Sequence, residues 1–205
     1  MKTIAILSNK GGSSKTTLCI NLAIAGTLKG KKTAIIDLDP QASSSDWADN
    51  RESESPVVIS SHPARLDKVL KAAEDAGADY VFIDSAPHSE SSSLAAARIA
   101  DFIIIPCRPA ILDIRAIKNT IDLVVIADKK AAVVLSCVQA RGGLADEAEQ
   151  AIISYDIDLS PVRITQRAAF VHSLTASQGV QEYDPKGKAS EEITALFKWL
   201  CKQVT

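Results

Sequence analysis

Aromatic residues are scarce in this chain: Phe, Trp and Tyr make up only 4% of 205 positions. Ile, Val, Leu and Ala must therefore fill its core. Cysteines are few and scattered. Cys19, Cys107, Cys137 and Cys201 form no C-x-x-C pair, which argues against a zinc or iron–sulfur site and fits reduced, mostly buried thiols in a cytoplasmic protein. No apolar run approaches the roughly 20 residues needed to cross a bilayer. The N-terminal "MKTIAIL" is too short for a secretory leader and lacks a small-residue cleavage site. Positive charge is not in excess: 23 Lys and Arg against 25 Asp and Glu leave a net charge of -2. Any contact with nucleic acid must then come from a local patch. Repeats and long linkers are also missing, so a single domain over residues 1–205 is expected. A first strand beginning at about Thr3 leaves no room for an N-terminal DNA-reading domain.

What the chain does contain is a series of short apolar runs alternating with helical patterns. The runs are "TIAIL" (3–7), "KTAIID" (32–37), "PVVIS" (56–60), "DYVFID" (79–84), "DFIIIP" (101–106), "AAVVLSCV" (131–138) and "IDLSPVRI" (157–164). Helices are expected near 14–29, 63–76, 90–98, 112–127 and 143–154. A short helix, a loop and a last helix near 188–203 follow the seventh run. Runs buried on both faces and separated by helices predict a doubly wound α/β domain, with a mostly parallel twisted sheet covered on both sides. The polar stretch "SSSDWADNRESES" (43–55) is expected to be a mobile surface loop.

Between the first strand and the first helix lies "SNKGGSSKTT". The end of the loop fits a phosphate-binding motif, with Lys15 for the β- and γ-phosphates and the Thr16 hydroxyl for Mg²⁺. Thr17 is placed for the α-phosphate. The usual fixed glycines are displaced: Asn9 and Ser14 stand in their positions, and Gly11 and Gly12 lie inside. A helix N-terminus offers unpaired N–H groups to an anion, and the two glycines let the backbone approach it. If Ser14 needs positive φ, a non-glycine residue there costs about 1–2 kcal/mol.

Lys10 is the second lysine of the loop. "KGGSSKTT" resembles the deviant Walker A loop, K-G-G-x-G-K-[ST], of the ParA/MinD family of P-loop ATPases, nearest to its small ParA-type partition members. The resemblance implies that Lys10, Gly11, Gly12, Ser13, Ser14, Lys15, Thr16 and Thr17 bind ATP with Mg²⁺. It implies that Lys10 crosses a dimer interface to the phosphates of the other subunit, so that two nucleotides are sandwiched between two chains. Ser14 departs from the family's glycine.

Two further stretches carry carboxylates. "IIDLDPQ" places Asp37 and Asp39 at a strand end, on one side by alternation. It resembles the family's D-x-D-P-Q motif, which implies that Asp39 orients the attacking water and that Asp37 supports Mg²⁺ and the lysines. "YVFIDSAP" delivers Asp84 from a buried strand toward Mg²⁺, in Walker B form. It resembles the family's I-D-[ST]-P-P, with Ala86 in place of a proline. "IIIPCRPAILDI" (103–114) resembles the segment that helps to build the dimer face.

The C-terminal stretch from "RITQR" through "GVQEYDP" also resembles small ParA proteins, so the likeness spans nearly the whole chain. It implies an adenine site near Pro161 and Arg163. It also implies non-specific DNA contacts from Arg163, Arg167, Lys186 and Lys188. The last helix has Ile193, Leu196, Phe197, Leu200, Cys201 and Val204 on one face and reads as a docking helix rather than a membrane anchor. The function implied is a nucleoid-associated cytoplasmic ATPase that positions plasmid, chromosome or other cargo. A ParB-like partner would stimulate its slow hydrolysis. Two alternatives stay open: a MinD-like ATPase on a membrane, and a metabolic ATP-dependent ligase or synthetase of the same fold.

Overall fold

A computed structural model describes residues 1–87 and 89–205. Its centre is a seven-stranded sheet: β1 (Lys2–Ile6), β2 (Thr33–Asp37), β3 (Val57–Ser60), β4 (Tyr80–Asp84), β5 (Phe102–Cys107), β6 (Ala131–Leu135) and β7 (Asp158–Leu159). The spatial order is β3-β2-β4-β1-β5-β6-β7, and every pairing is parallel. Nine α-helices accompany the strands among the described residues: α1 (Lys15–Leu28), α2 (Ser43–Asp49), α3 (Leu66–Asp75), α4 (Glu90–Ile99), α5 (Ile111–Ala127), α6 (Leu144–Ile153), α7 (Ala168–Thr175), α8 (Val180–Tyr183) and α9 (Lys188–Gln203). This is the doubly wound α/β architecture that the alternating runs predict.

Side-chain alternation divides the core into two layers. Ala5, Leu7, Ile36, Ile83 and Ile103 point to the face covered by α3, α4, α5 and α6. Ile4, Ile6, Ile35, Phe82 and Ile104 point to the other face, under α1, α7, α8 and α9. The apolar stripe of α9 is consumed there: Ile193, Leu196 and Leu200 are fully buried, and Phe197 and Val204 nearly so. α9 is a docking helix. Asn21 in α1 ties the C-terminal layer down, since its Oδ1 accepts the Val180 N–H at 2.8 Å.

Two expectations about local structure are corrected. The polar stretch after β2 is not a loop throughout, because Ser43–Asp49 forms α2. Its serines are poor helix formers, but tertiary partners override that preference. Asp37 caps it from outside the helix, accepting the N–H groups of Ser44 and Ser45, both at 3.1 Å. Trp47 buries itself against the C-terminal layer. Arg51 then lies 4.4 Å over the Trp47 ring and pairs with Glu182 at 2.8 Å. The seventh strand is also shorter than its apolar run: only Asp158 and Leu159 pair. Ser160 turns the chain away by accepting the Val162 N–H at 3.1 Å, and Pro161 has no N–H to offer the sheet.

Candidate functional site

The parallel strands deliver their C-terminal ends to one edge, where such sheets bind ligands. The loop after β1 lies between the exits of β4 on one side and β5 on the other. Ser14, just before α1, has φ 76 and ψ 24. The position does require the left-handed conformation that glycine prefers, and the chain holds serine in it. Its hydroxyl lies 3.2 Å from Cys137 Sγ, and Cys137 is itself left-handed at φ 52. One residue earlier, Ser136 Oγ donates to the Ser13 carbonyl at 3.0 Å. The exit of β6 thus braces the loop at two adjacent residues.

Lys15 is buried and donates from Nζ to the Lys10 carbonyl at 3.0 Å. Burial lowers its pKa, while Asp84 and Asp39 draw it upward. The Lys10 ammonium makes no hydrogen bond or ion pair among the described residues. The two lysines of the loop are therefore not equivalent: one is built into the fold and one is left available.

Asp84 ends β4 and is 1% exposed. Its Oδ2 accepts the Ser44 hydroxyl at 2.8 Å, and the Thr16 hydroxyl is near enough to favour its charged form. Its Oδ1 is buried with no partner. Burial raises this carboxyl to about 7, with Asp37 adding to the rise and the Ser44 and Thr16 hydroxyls and Lys15 opposing it. An orphaned carboxylate oxygen beside a threonine hydroxyl is a donor set suited to Mg²⁺ or its water ligands.

Asp37 and Asp39 do not play equal parts. Asp37 is fully buried, and both of its oxygens are engaged. Oδ1 accepts the Asp39 N–H at 3.0 Å, and Oδ2 accepts from Ser44, Ser45 and the Ser45 hydroxyl. Burial raises its pKa, and these bonds oppose the rise. Asp37 positions α2 and Ser44, and Ser44 reaches Asp84. Asp39 lies past the strand end and is half-buried. It opens onto a cleft of 810 Å³ lined also by Gln41, His62 and Ser92. That cleft lies outside the phosphate loop.

The arrangement matches a family pattern. Residues 4–174 fit the model of the CobQ/CobB/MinD/ParA nucleotide binding domain. The chain belongs to this family. It is a P-loop ATPase of the ParA/MinD kind. The chain is 27% identical to "Maintenance of carboxysome distribution protein A" of Halothiobacillus neapolitanus, over 95% of this chain and 94% of that one. It is 29% identical to the protein of the same name from Gloeobacter kilaueensis, over 99% and 94%. The septum site-determining protein MinD of Pyrococcus horikoshii, solved with Mg-ADP, superposes with a TM-score of 0.82 at 17% identity, covering 98% and 96%.

Among ParA/MinD ATPases the expected nucleotide and DNA residues of the second half can now be placed. Arg163 is not a free cation: it pairs with Asp146 and Glu149 of α6, both at 2.6 Å. Arg167 pairs with Glu192 at 2.6 Å. A DNA phosphate would have to displace those carboxylates. Lys186 and Lys188 are exposed, and neither enters an ion pair among the described residues. Pro161 is exposed beside Arg163, on the far side of the loop from Asp39. Sequence reasoning missed Ser44, Arg108, Ser136 and Cys137. Three of these follow strand ends, a position that carries information only once strand order is known. Ser44 had no signal, lying in a stretch read as a loop.

Proposed function

We propose that this chain is a positioning ATPase that closes into a homodimer over two ATP molecules and opens on hydrolysis. The observation that carries the reading is the pairing of the orphaned Asp84 oxygen with a loop that holds one fixed and one unpartnered lysine. Thr16 and Asp84 would hold Mg²⁺, directly or through its waters. When bound, the ion supplies charge neutralisation along the phosphates. Lys15 binds the β- and γ-phosphates, and the N–H groups of Gly11 to Thr16 cradle them. Thr17 serves the α-phosphate, and the base lies toward Pro161 and Arg163. Asp39, the half-exposed carboxylate, orients water. Lys10 crosses to the partner's triphosphate, so that the same ligand that is hydrolysed also holds the dimer.

The cargo we favour is a large protein assembly, because two relatives aligned over nearly their full lengths are named for carboxysome distribution. Plasmid or chromosome cargo with a ParB-like partner is the alternative within the same mechanism. Non-specific DNA would be the track, held by Lys186 and Lys188 with help from Arg163 and Arg167, and the site of action would be the nucleoid. A membrane track is disfavoured because the apolar face of α9 is already buried. The test is light scattering with ATP and with ADP. A dimer with ATP alone, lost in Lys10→Ala, supports the reading. A monomer with both nucleotides rejects the sandwich, and a small-molecule product formed at the expense of ATP points to the ligase alternative.

A further inference from the structure

We propose that Arg108 is an additional cation of the triphosphate site, acting from the same chain on the terminal phosphate. The inference rests on the ATPase reading and deepens it. Arg108 follows Cys107, the last residue of β5, and β5 is the sheet neighbour of β1. It thus leaves the sheet edge beside the phosphate loop. Its Nη1 lies 3.8 Å from the point where a side chain on Gly12 would begin. Gly12 has φ +70, a left-handed turn that glycine adopts without strain, and it brings the loop into van der Waals range of the guanidinium.

The guanidinium is held rather than adrift. Nε donates to Asp113 Oδ1 at 2.9 Å, and the Asp113 side chain, in the first turn of α5, is only 9% exposed. Nη1 and Nη2 make no hydrogen bond to the described residues. One edge of the fork is fixed by a buried carboxylate, and the other faces the loop. An arginine serving only to neutralise Asp113 has no need to place Nη1 against Gly12.

The phosphate it would meet follows from chain direction. The loop enters at Lys10 and closes onto α1 at Lys15 to Thr17. At the closing end Thr17 serves the α-phosphate and Lys15 reaches back to the β- and γ-phosphates, so the phosphate chain runs toward the entry half, where Gly12 and Arg108 lie beside the terminal group. A fork of two N–H donors beside a dianionic phosphoryl group is a strong, planar match. ATP presents that group and ADP does not. Arg108 is then a residue that distinguishes the two nucleotides, in addition to Lys10 from the partner.

The experiment is calorimetric titration of Mg-AMP-PNP and Mg-ADP into the wild type, Arg108→Ala and Arg108→Lys, each checked by thermal melting. Arg108→Ala should weaken AMP-PNP about tenfold, the range for a lost charge-assisted bond, and leave ADP within about twofold. Arg108→Lys should recover part of the loss. Asp113→Asn, which unmoors the guanidinium, should produce a smaller loss of the same kind. AMP-PNP affinity unchanged in Arg108→Ala, or an equal fall for both nucleotides, overturns the assignment while leaving the ATPase reading standing. A wild type that binds neither nucleotide overturns both.

Discussion

The exits of β2 and β4 and the exits of β6 and β7 lie along the same sheet edge but treat charge in opposite ways. On the first side, Asp37 and Asp84 are almost wholly removed from water, and among the described residues no cationic side chain pairs with either at ion-pair distance. On the second, Arg163 and Arg167 stay partly in solvent, and each is matched by a carboxylate. Burying a charge without a counterion is costly, whereas a solvated pair is nearly neutral to stability. The costly arrangement marks chemistry at Asp84, whose Oδ1 has no partner; at Asp37 the N–H groups it caps offset part of the cost. The Arg51–Glu182 pair, with Arg51 only 3% exposed, is a third case: buried, but matched.

The largest effect expected is at the loop. Lys15→Ala should lower nucleotide affinity by at least about 100-fold, because no other side chain replaces a buried ammonium among the phosphates. Calorimetry with Mg-ADP checks this, and affinity within a few-fold of the wild type would remove the loop from the site.

The next two substitutions set the two kinds of buried acid against each other. Asp84→Asn should cut hydrolysis about 100-fold yet raise the melting temperature of the metal-free protein. The sign follows from the carboxyl's folded value of about 7 against its ordinary 3.8. A raised acid contributes stability below the lower value and loses it as pH rises through the upper one. At pH 8 the wild type carries an uncompensated charge that the amide lacks. Glu182→Gln should do the reverse, destabilising the fold by about 2–3 kcal/mol and leaving Mg-ADP affinity unchanged. Burial alone would raise Glu182, but the Arg51 guanidinium and the Gly179 N–H outweigh it and hold the carboxyl below its usual range. That stability is present above the unfolded value of roughly 4.3 and is lost as pH falls through the folded one. Urea melts at pH 3, 5 and 8 separate the two. If both substitutions shift stability in the same direction, the distinction between matched and unmatched burial fails here.

Ser14→Gly is smaller. Relief of left-handed serine should add about 1 kcal/mol, less whatever the contact with Cys137 contributes, and melting should rise by a few degrees. No rise would mean that the brace from β6 already offsets the strain. Smallest is the surface: the double change Lys186→Gln and Lys188→Gln should flatten the salt dependence of DNA binding by about two phosphate contacts, while Arg163→Gln, whose carboxylate partners compete with phosphate, should flatten it by less than one. A steep loss with Arg163→Gln would show that its carboxylate partners yield to phosphate.

Much of the fold was legible because strand-length apolar runs and helical spacing are local properties. All seven runs became strands, and the expected helix bounds fall within a few residues of those observed. The loop between β1 and α1 and the carboxylates at the exits of β2 and β4 could be located because residue type at fixed spacing marks them; the roles given to them are proposals. What stayed hidden depends on contacts distant in sequence. α2 exists because Asp37 and Glu182 hold its two ends, and neither lies inside the segment. Ser136, Cys137 and Arg108 reach the loop only because β5 lies beside β1 and β6 beside β5. The truncation of β7 by Ser160 and Pro161 was local and readable, but the apolar run concealed it.

The capping of α2 by Asp37 has a mechanical consequence. One carboxylate at the end of β2 anchors a short rod whose other end, through Trp47 and Arg51, is hooked onto Ser177, Gln178 and Glu182, more than 120 residues along the chain. Pulling on either attachment strains the other, so the mouth of the catalytic edge and the outer helices of the second half are coupled by a lever barely two turns long.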